Sequence, residues 1–140
     1  MAYDPIRINN VSSSFHVASK RCMEQRRLPS GKLEMPLVPA VVCQAFAVEL
    51  GLKAILESEG NSCRGHKLKE LYDSLSIEAK KSISDVAGCS EEFMELNMEK
   101  ISNIFVEWRY IYESDEAGLD LEFFNNLANA VHHVANKRVE

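Results

Sequence analysis

A chain of 140 residues, 46% hydrophobic and 26% charged, is long enough for one domain with a core and too short for two ordinary ones. No continuous apolar run approaches the ~18–20 residues of a membrane span, and no apolar stretch follows Asp4, Pro5 and Arg7 as it would in a secretion signal. A soluble, cytoplasmic protein without membrane contact is expected, and its net charge of −5 argues against a wide face for duplex DNA, which needs clustered cations.

Proline and glycine punctuate the chain. Ser12 to Ser14 can cap a first helix running to about Arg27, with Phe15, Ala18, Cys22 and Met23 turned inward. Leu28-Pro29-Ser30-Gly31 ends it, and the stretch to Pro36 and Pro39 reads as loop, because proline restricts both its own backbone and the residue before it. Pro39 sits where a second helix begins; it runs to about Glu59 and stops at Gly60. Val42, Ala45, Phe46, Val48, Leu50, Leu52, Ile55 and Leu56 make that helix apolar around most of its circumference, which places it centrally or at a subunit contact. Glu49, Lys53 and Glu57 form its one charged stripe.

Leu68, Leu71, Tyr72 and Leu75 predict a short amphipathic helix over Lys67 to Leu75. Ser76 caps another piece, with Ile77, Ile83 and Val86 inward and Gly88 as its stop. Ser90, followed by Glu91 and Glu92, opens a long helix whose core face runs Met94, Met98, Ile101, Ile104, Phe105, Trp108, Ile111 and Tyr112, through about Ser114. Ser114 to Gly118 reads as a turn. A last helix, about Leu119 to Arg138, turns Phe123, Phe124, Leu127, Val131 and Val134 inward. No segment alternates with a period of two, so the fold class is all-α: an antiparallel bundle of four to five main helices in one domain over residues 1–140. Residues 1–37 supply its N-terminal helix and Pro-rich loop, and residues 38–138 its bundle core.

The charge is uneven. Residues 1–40 carry six basic and three acidic side chains, against ten basic and eighteen acidic in the rest. The basic segment is either a solvated helix face or a grip for a phosphate or an acidic partner. The four cysteines, Cys22, Cys43, Cys63 and Cys89, form no CxxC and read as reduced thiols. Cys63 and His66 have the spacing of half a zinc site with no second half, and adjacent His132 and His133 point about 100° apart on a helix. Neither a metal nor a cofactor is expected.

The candidate site residues each have two readings. Glu49 and Lys53, four apart, are either an exposed helix pair worth ~0.3–0.5 kcal/mol or part of a polar groove. Arg109 and Glu113, interleaved with Trp108, Tyr110 and Tyr112, suit phosphate binding and base stacking, or a core helix whose Arg reaches Glu49 or Glu113. His66, after Gly65, is either a packed histidine fixing a loop or a proton acceptor at a helix start. His132 and His133 lie in an Asn-rich helix (Asn125, Asn126, Asn129, Asn136) that presents a solvated face, a polar groove or a dimer seam.

The segments ELGLKAIL (Glu49 to Leu56), GHKLKELYDSL (Gly65 to Leu75) and WRYIYE (Trp108 to Glu113), with the final amphipathic helix, resemble the HEPN family of small helical domains over about two thirds of the chain, roughly Val38 to Ala135. The resemblance implies a helical bundle assembled as a homodimer, with RNA, a nucleotide or a protein as partner, in a defence or toxin–antitoxin setting. Ribonuclease members carry an Arg, four to six residues, then a His; no Arg here is followed by His at that distance. The expectation is therefore a non-catalytic dimer with a binding groove lined by Glu49, Lys53, His66, Arg109, Tyr112 and Glu113. The alternatives are a diverged, metal-independent ribonuclease in which His66 replaces the missing histidine beside Arg109, and a scaffolding dimer without a ligand.

Overall fold

The computed structural model describes residues 3–114 and 118–140. Its first helix, α1, spans Pro5–Cys22 and begins well before the predicted start. Asp4 is the reason: its side chain accepts from the Ile6 N–H at 2.9 Å, and Pro5 occupies the first turn, where a missing N–H costs nothing. The helix also stops earlier than predicted, at Cys22. The face it turns inward is polar and small (Asn9, Ser12, Ser19), whereas Phe15, Ala18, Cys22 and Met23 are only half-buried. The stretch read as loop contains a short antiparallel ribbon, β1 (Arg26–Arg27) with β2 (Leu33–Glu34), closed through Gly31 at φ +85°.

α2 (Leu37–Ser58) is the central element and touches α1, α3, α6 and α7. It ends as glycine chemistry dictates. Gly60, at φ +78°, donates to the Glu57 carbonyl at 3.0 Å, and Asn61 donates to the Leu56 carbonyl at 2.9 Å. By length and a mean hydropathy of 1.6 this helix also meets the criteria of a membrane span, contrary to the sequence expectation. Gln44, Glu49 and Lys53 interrupt its apolar run without lowering the average enough. Of that window 61% is buried inside the bundle, so most but not all of it is covered by protein.

α3 (Leu68–Asp73) and α4 (Ile77–Ala87) follow, the latter capped by the Ser76 hydroxyl, which accepts from Ala79 N–H at 3.1 Å. Gly88, at φ +72°, stops α4 as predicted. Ile77, 78% exposed, and Val86 do not face inward as predicted; Ala79, Ile83 and Ser84 form the buried face instead.

The predicted long helix is broken into α5 (Glu91–Ile101), α6 (Ile104–Arg109) and a 3-10 turn over Ile111–Glu113. At the break, the Ser102 carbonyl accepts from Leu68 N–H at 3.0 Å and its hydroxyl from Lys69 N–H at 3.2 Å. Ser102 thus supplies acceptors to the first turn of α3, whose N–H groups have no partner within their own helix. The turn expected over Ser114 to Gly118 falls on residues 115–117, outside the described residues. α7 (Leu121–Arg138) is capped by Asp120, which accepts from Phe123 N–H at 3.0 Å.

The fold class is all-α, a helical bundle with one short ribbon. One apolar cluster, drawn from α2 through α7 and including Leu52, Ile55, Tyr72, Met98, Phe124 and Leu127, forms the core; α1 contributes nothing to it. Ser12 against Ala47 and Phe15 against Phe46 set α1 antiparallel to α2, whereas Gln44 to Asn125 and Glu59 to Arg138 show α7 running in the direction of α2. α1 thus runs antiparallel to both, and α2 and α7 pack side by side in the same direction.

Candidate functional site

The site forms where α2, the loop over residues 60–67 and α6 meet. Glu49, on α2, is 1% exposed, so it is not one half of a surface ion pair. Its carboxylate is satisfied from two sides. Lys53 Nζ, one turn along, donates to Oε2 at 3.2 Å, and His66 Nδ1 donates from 3.0 Å to either oxygen. An unpaired carboxylate so deeply buried would be strongly disfavoured, so this pairing fixes both partners in place. Gly65, at φ +113°, gives the loop the backbone that turns His66 over Glu49. The His66 side chain is otherwise open, 59% exposed.

Phe105, on α6, continues the site. Its ring centroid lies 6.2 Å from that of His66 and 5.2 Å from that of Phe46 on α2, which in turn meets Phe15 of α1 edge-on at 4.7 Å. The Arg109 guanidinium lies over Phe105, 4.6 Å from its centroid, and 5.4 Å from the centroid of Tyr110. Cation and ring are thus stacked, a contact worth ~0.5–1 kcal/mol at an exposed site. Among the described residues Arg109 makes no ion pair, so it reaches neither Glu49 nor Glu113. The 3-10 turn explains the second absence, because leaving the α-helix at Tyr110 destroys the four-residue spacing. Tyr112, predicted to line the core, is 77% exposed.

A groove of about 750 Å³ opens beside this cluster, lined by Tyr3, Ile8, Leu50, Lys53, Cys63 and Arg64 among others. A second, mainly apolar groove of about 610 Å³ shares Tyr3, Ile8 and Leu50 with it and reaches Phe46 and Arg7. Arg64 and Phe105 are the residues that sequence reasoning missed as site components. The signals were there: Arg64 stands two residues before His66, and Phe105 one helical turn before Arg109. Among the described residues no group of three or more His, Cys, Asp and Glu side chains is placed to hold a metal ion.

The Asn-rich face of α7 is divided. Asn125 accepts from Gln44 Nε2 at 2.8 Å, and Asn136 accepts from Asn9 Nδ2 at 2.7 Å, so these two join a polar seam within the chain. Asn126, Asn129 and His133 are exposed, and His132 stacks on His16 of α1. The face expected to be solvated is therefore partly an intramolecular contact.

Comparison with family models, curated proteins and solved structures finds no match to this chain.

Proposed function

We propose that this protein is a non-catalytic, HEPN-like binding module whose ligand is single-stranded RNA, held across the groove beside Glu49 and Phe105. The observation that carries the proposal is the Glu49 arrangement. A buried carboxylate fixes one exposed imidazole and one lysine that lines the groove, near an arginine stacked on an aromatic ring. Single strands are gripped by such combinations, with aromatic faces for bases and cations for phosphates. Arg64 and Arg109 supply the cations, the exposed His66 ring a face, and Lys53 adds charge from the groove wall. A homodimer accompanies this reading, and the exposed Ile6 and Val17 of α1 offer apolar surface for it.

Fluorescence anisotropy with a labelled single-stranded RNA tests the proposal. Wild type should bind in low salt, Arg64→Ala and Arg109→Ala should each weaken binding about 5-fold or more, and affinity should fall steeply with added salt. Absence of binding in low salt overturns it.

A second reading draws on the Glu49–His66 contact. A carboxylate on Nδ1 selects the tautomer whose Nε2 can take a proton, and Arg109 would stabilise developing charge. Against it, no hydrogen bond joins His66 to Arg109; both lie against Phe105. Cleavage of a mixed-sequence RNA by wild type, lost in both His66→Ala and Arg109→Ala, would establish this ribonuclease reading in place of the first.

A further inference from the structure

We infer that the seam between α1 and α7 is a proton-operated latch, in which protonation of the stacked pair His16 and His132 releases α1 from the bundle. The two rings are nearly parallel, 13° apart, with centroids separated by 4.2 Å. In each ring Nδ1 is buried and has no hydrogen-bond partner. His132 Nε2 accepts from Asn136 Nδ2 at 3.2 Å, and Asn136 Oδ1 accepts from Asn9 Nδ2 at 2.7 Å. That chain of amides places the single proton of neutral His132 on its unpartnered Nδ1.

A second proton on His132 falls on Nε2, facing the Asn136 amide donor, and doubly protonated His16 carries one on its buried Nδ1, with no acceptor among the described residues. The ionisable neighbours acting on the pair are Lys20 on α1 and His133 on α7, and both oppose added positive charge. Among the described residues, no ionisable group of α2 and no carboxylate acts on either ring. Burial, then His132, then Lys20 push His16 down to about 4; burial, then His133, then Lys20 lower His132.

A released imidazole titrates near its ordinary ~6.5, so between about pH 6.5 and 4 the released form holds more protons than the closed one. The closed seam is at full strength above that window and weakens as pH falls through it. From His16 alone, opening should become roughly 30-fold more favourable at pH 5 than at pH 7.5.

α1 packs along α2, with Phe15 against Phe46 and Ser12 against Ala47, but outside the apolar core. Its buried positions, Asn9, Ser12 and Ser19, are polar. It also carries Tyr3, Arg7 and Ile8 close to or within its first turns, where they wall the two grooves beside the Glu49 site. Opening the latch would dismantle those grooves. The inference itself stands on the seam and not on the identity of the ligand.

Hydrogen exchange of the full chain, read by segment and corrected for the intrinsic pH dependence of exchange, tests it. On going from pH 7.5 to pH 5, α1 should lose protection by at least 10-fold while the core segments of α2 and α7 keep theirs. His16→Phe, which retains a ring but cannot take a proton, should keep α1 protected at pH 5. Equal protection of wild-type α1 at both pH values, or His16→Phe opening like wild type, overturns the inference. Should that variant fail to fold, NMR titration of the wild-type histidine ring resonances decides. Two rings titrating well below the ordinary histidine range support the latch, and titration of all four within that range overturns it.

Discussion

Gly51→Ala probes the closest approach in the bundle. Gly51 lies on α2 where α1 and α7 converge, and a Cβ there would stand 2.6 Å from Val131 Cγ1 and 3.4 Å from Ser12 Oγ. Carbon atoms pack favourably at about 3.5–4.0 Å, so roughly 1 Å must be recovered by movement. Val131 cannot supply it easily. It is 1% exposed, and a valine in a helix has one strongly preferred rotamer. Alanine in place of glycine gains about 1 kcal/mol of helix propensity, against about 1–3 kcal/mol for overpacking. The net expectation is a loss of about 0–2 kcal/mol, measured as a shift in the urea midpoint followed by far-UV circular dichroism. In a Val131→Ala background the obstructing methyl is gone, and Gly51→Ala should become neutral or stabilising by up to about 1 kcal/mol. A Gly51→Ala protein more stable than wild type by that amount, with no coupling to position 131, would refute the tight approach of α2 and α7.

Further predictions concern the site and its supports. Glu49→Gln keeps the shape of the side chain but leaves Lys53 and His66 without their shared anion; a loss of about 1–2 kcal/mol in urea unfolding is expected. Glu59 accepts from the Ser76 N–H at 3.1 Å, from the Ser76 hydroxyl, and from Arg138 Nη1 at 3.1 Å, tying the ends of α2 and α7 to the start of α4. Glu59→Ala should therefore cost about 1–3 kcal/mol by the same assay. Gly88→Ala meets no steric neighbour but must hold φ +72°, so a loss of about 1 kcal/mol in thermal or urea unfolding is expected from backbone strain alone. Sedimentation velocity should give the mass of a dimer, and Ile6→Glu with Val17→Glu should reduce it to that of a monomer.

Much of the fold was legible because its signals are local. Leu68, Leu71, Tyr72 and Leu75 repeat at helical spacing and are all buried, as are Phe123, Phe124, Leu127, Val131 and Val134 on α7. Gly60 and Gly88 stop their helices because each carries a positive φ that other residues resist. The break between α5 and α6 was not legible: the apolar period from Met94 to Trp108 runs through Ser102 without a fault, and the acceptors offered there go to a helix distant in sequence. The ribbon at Arg26 and Leu33 is too short for an alternating pattern. At the site, sequence brought Glu49 and Lys53 together through their spacing and named His66 and Arg109 as candidates. It gave no measure of the burial of Glu49, which turns a weak surface pair into a fixed arrangement. The contacts of Glu49 with His66 and of His16 with His132 depend on tertiary packing, which no local pattern encodes.

The most direct test of the binding account is an NMR map of backbone amide shifts on titration with single-stranded RNA in low salt. The account predicts perturbations concentrated at Glu49 to Lys53, Cys63 to Lys67 and Phe105 to Tyr110, attenuated in Arg109→Ala. Perturbations confined to other surfaces, or none at saturating RNA, would contradict it.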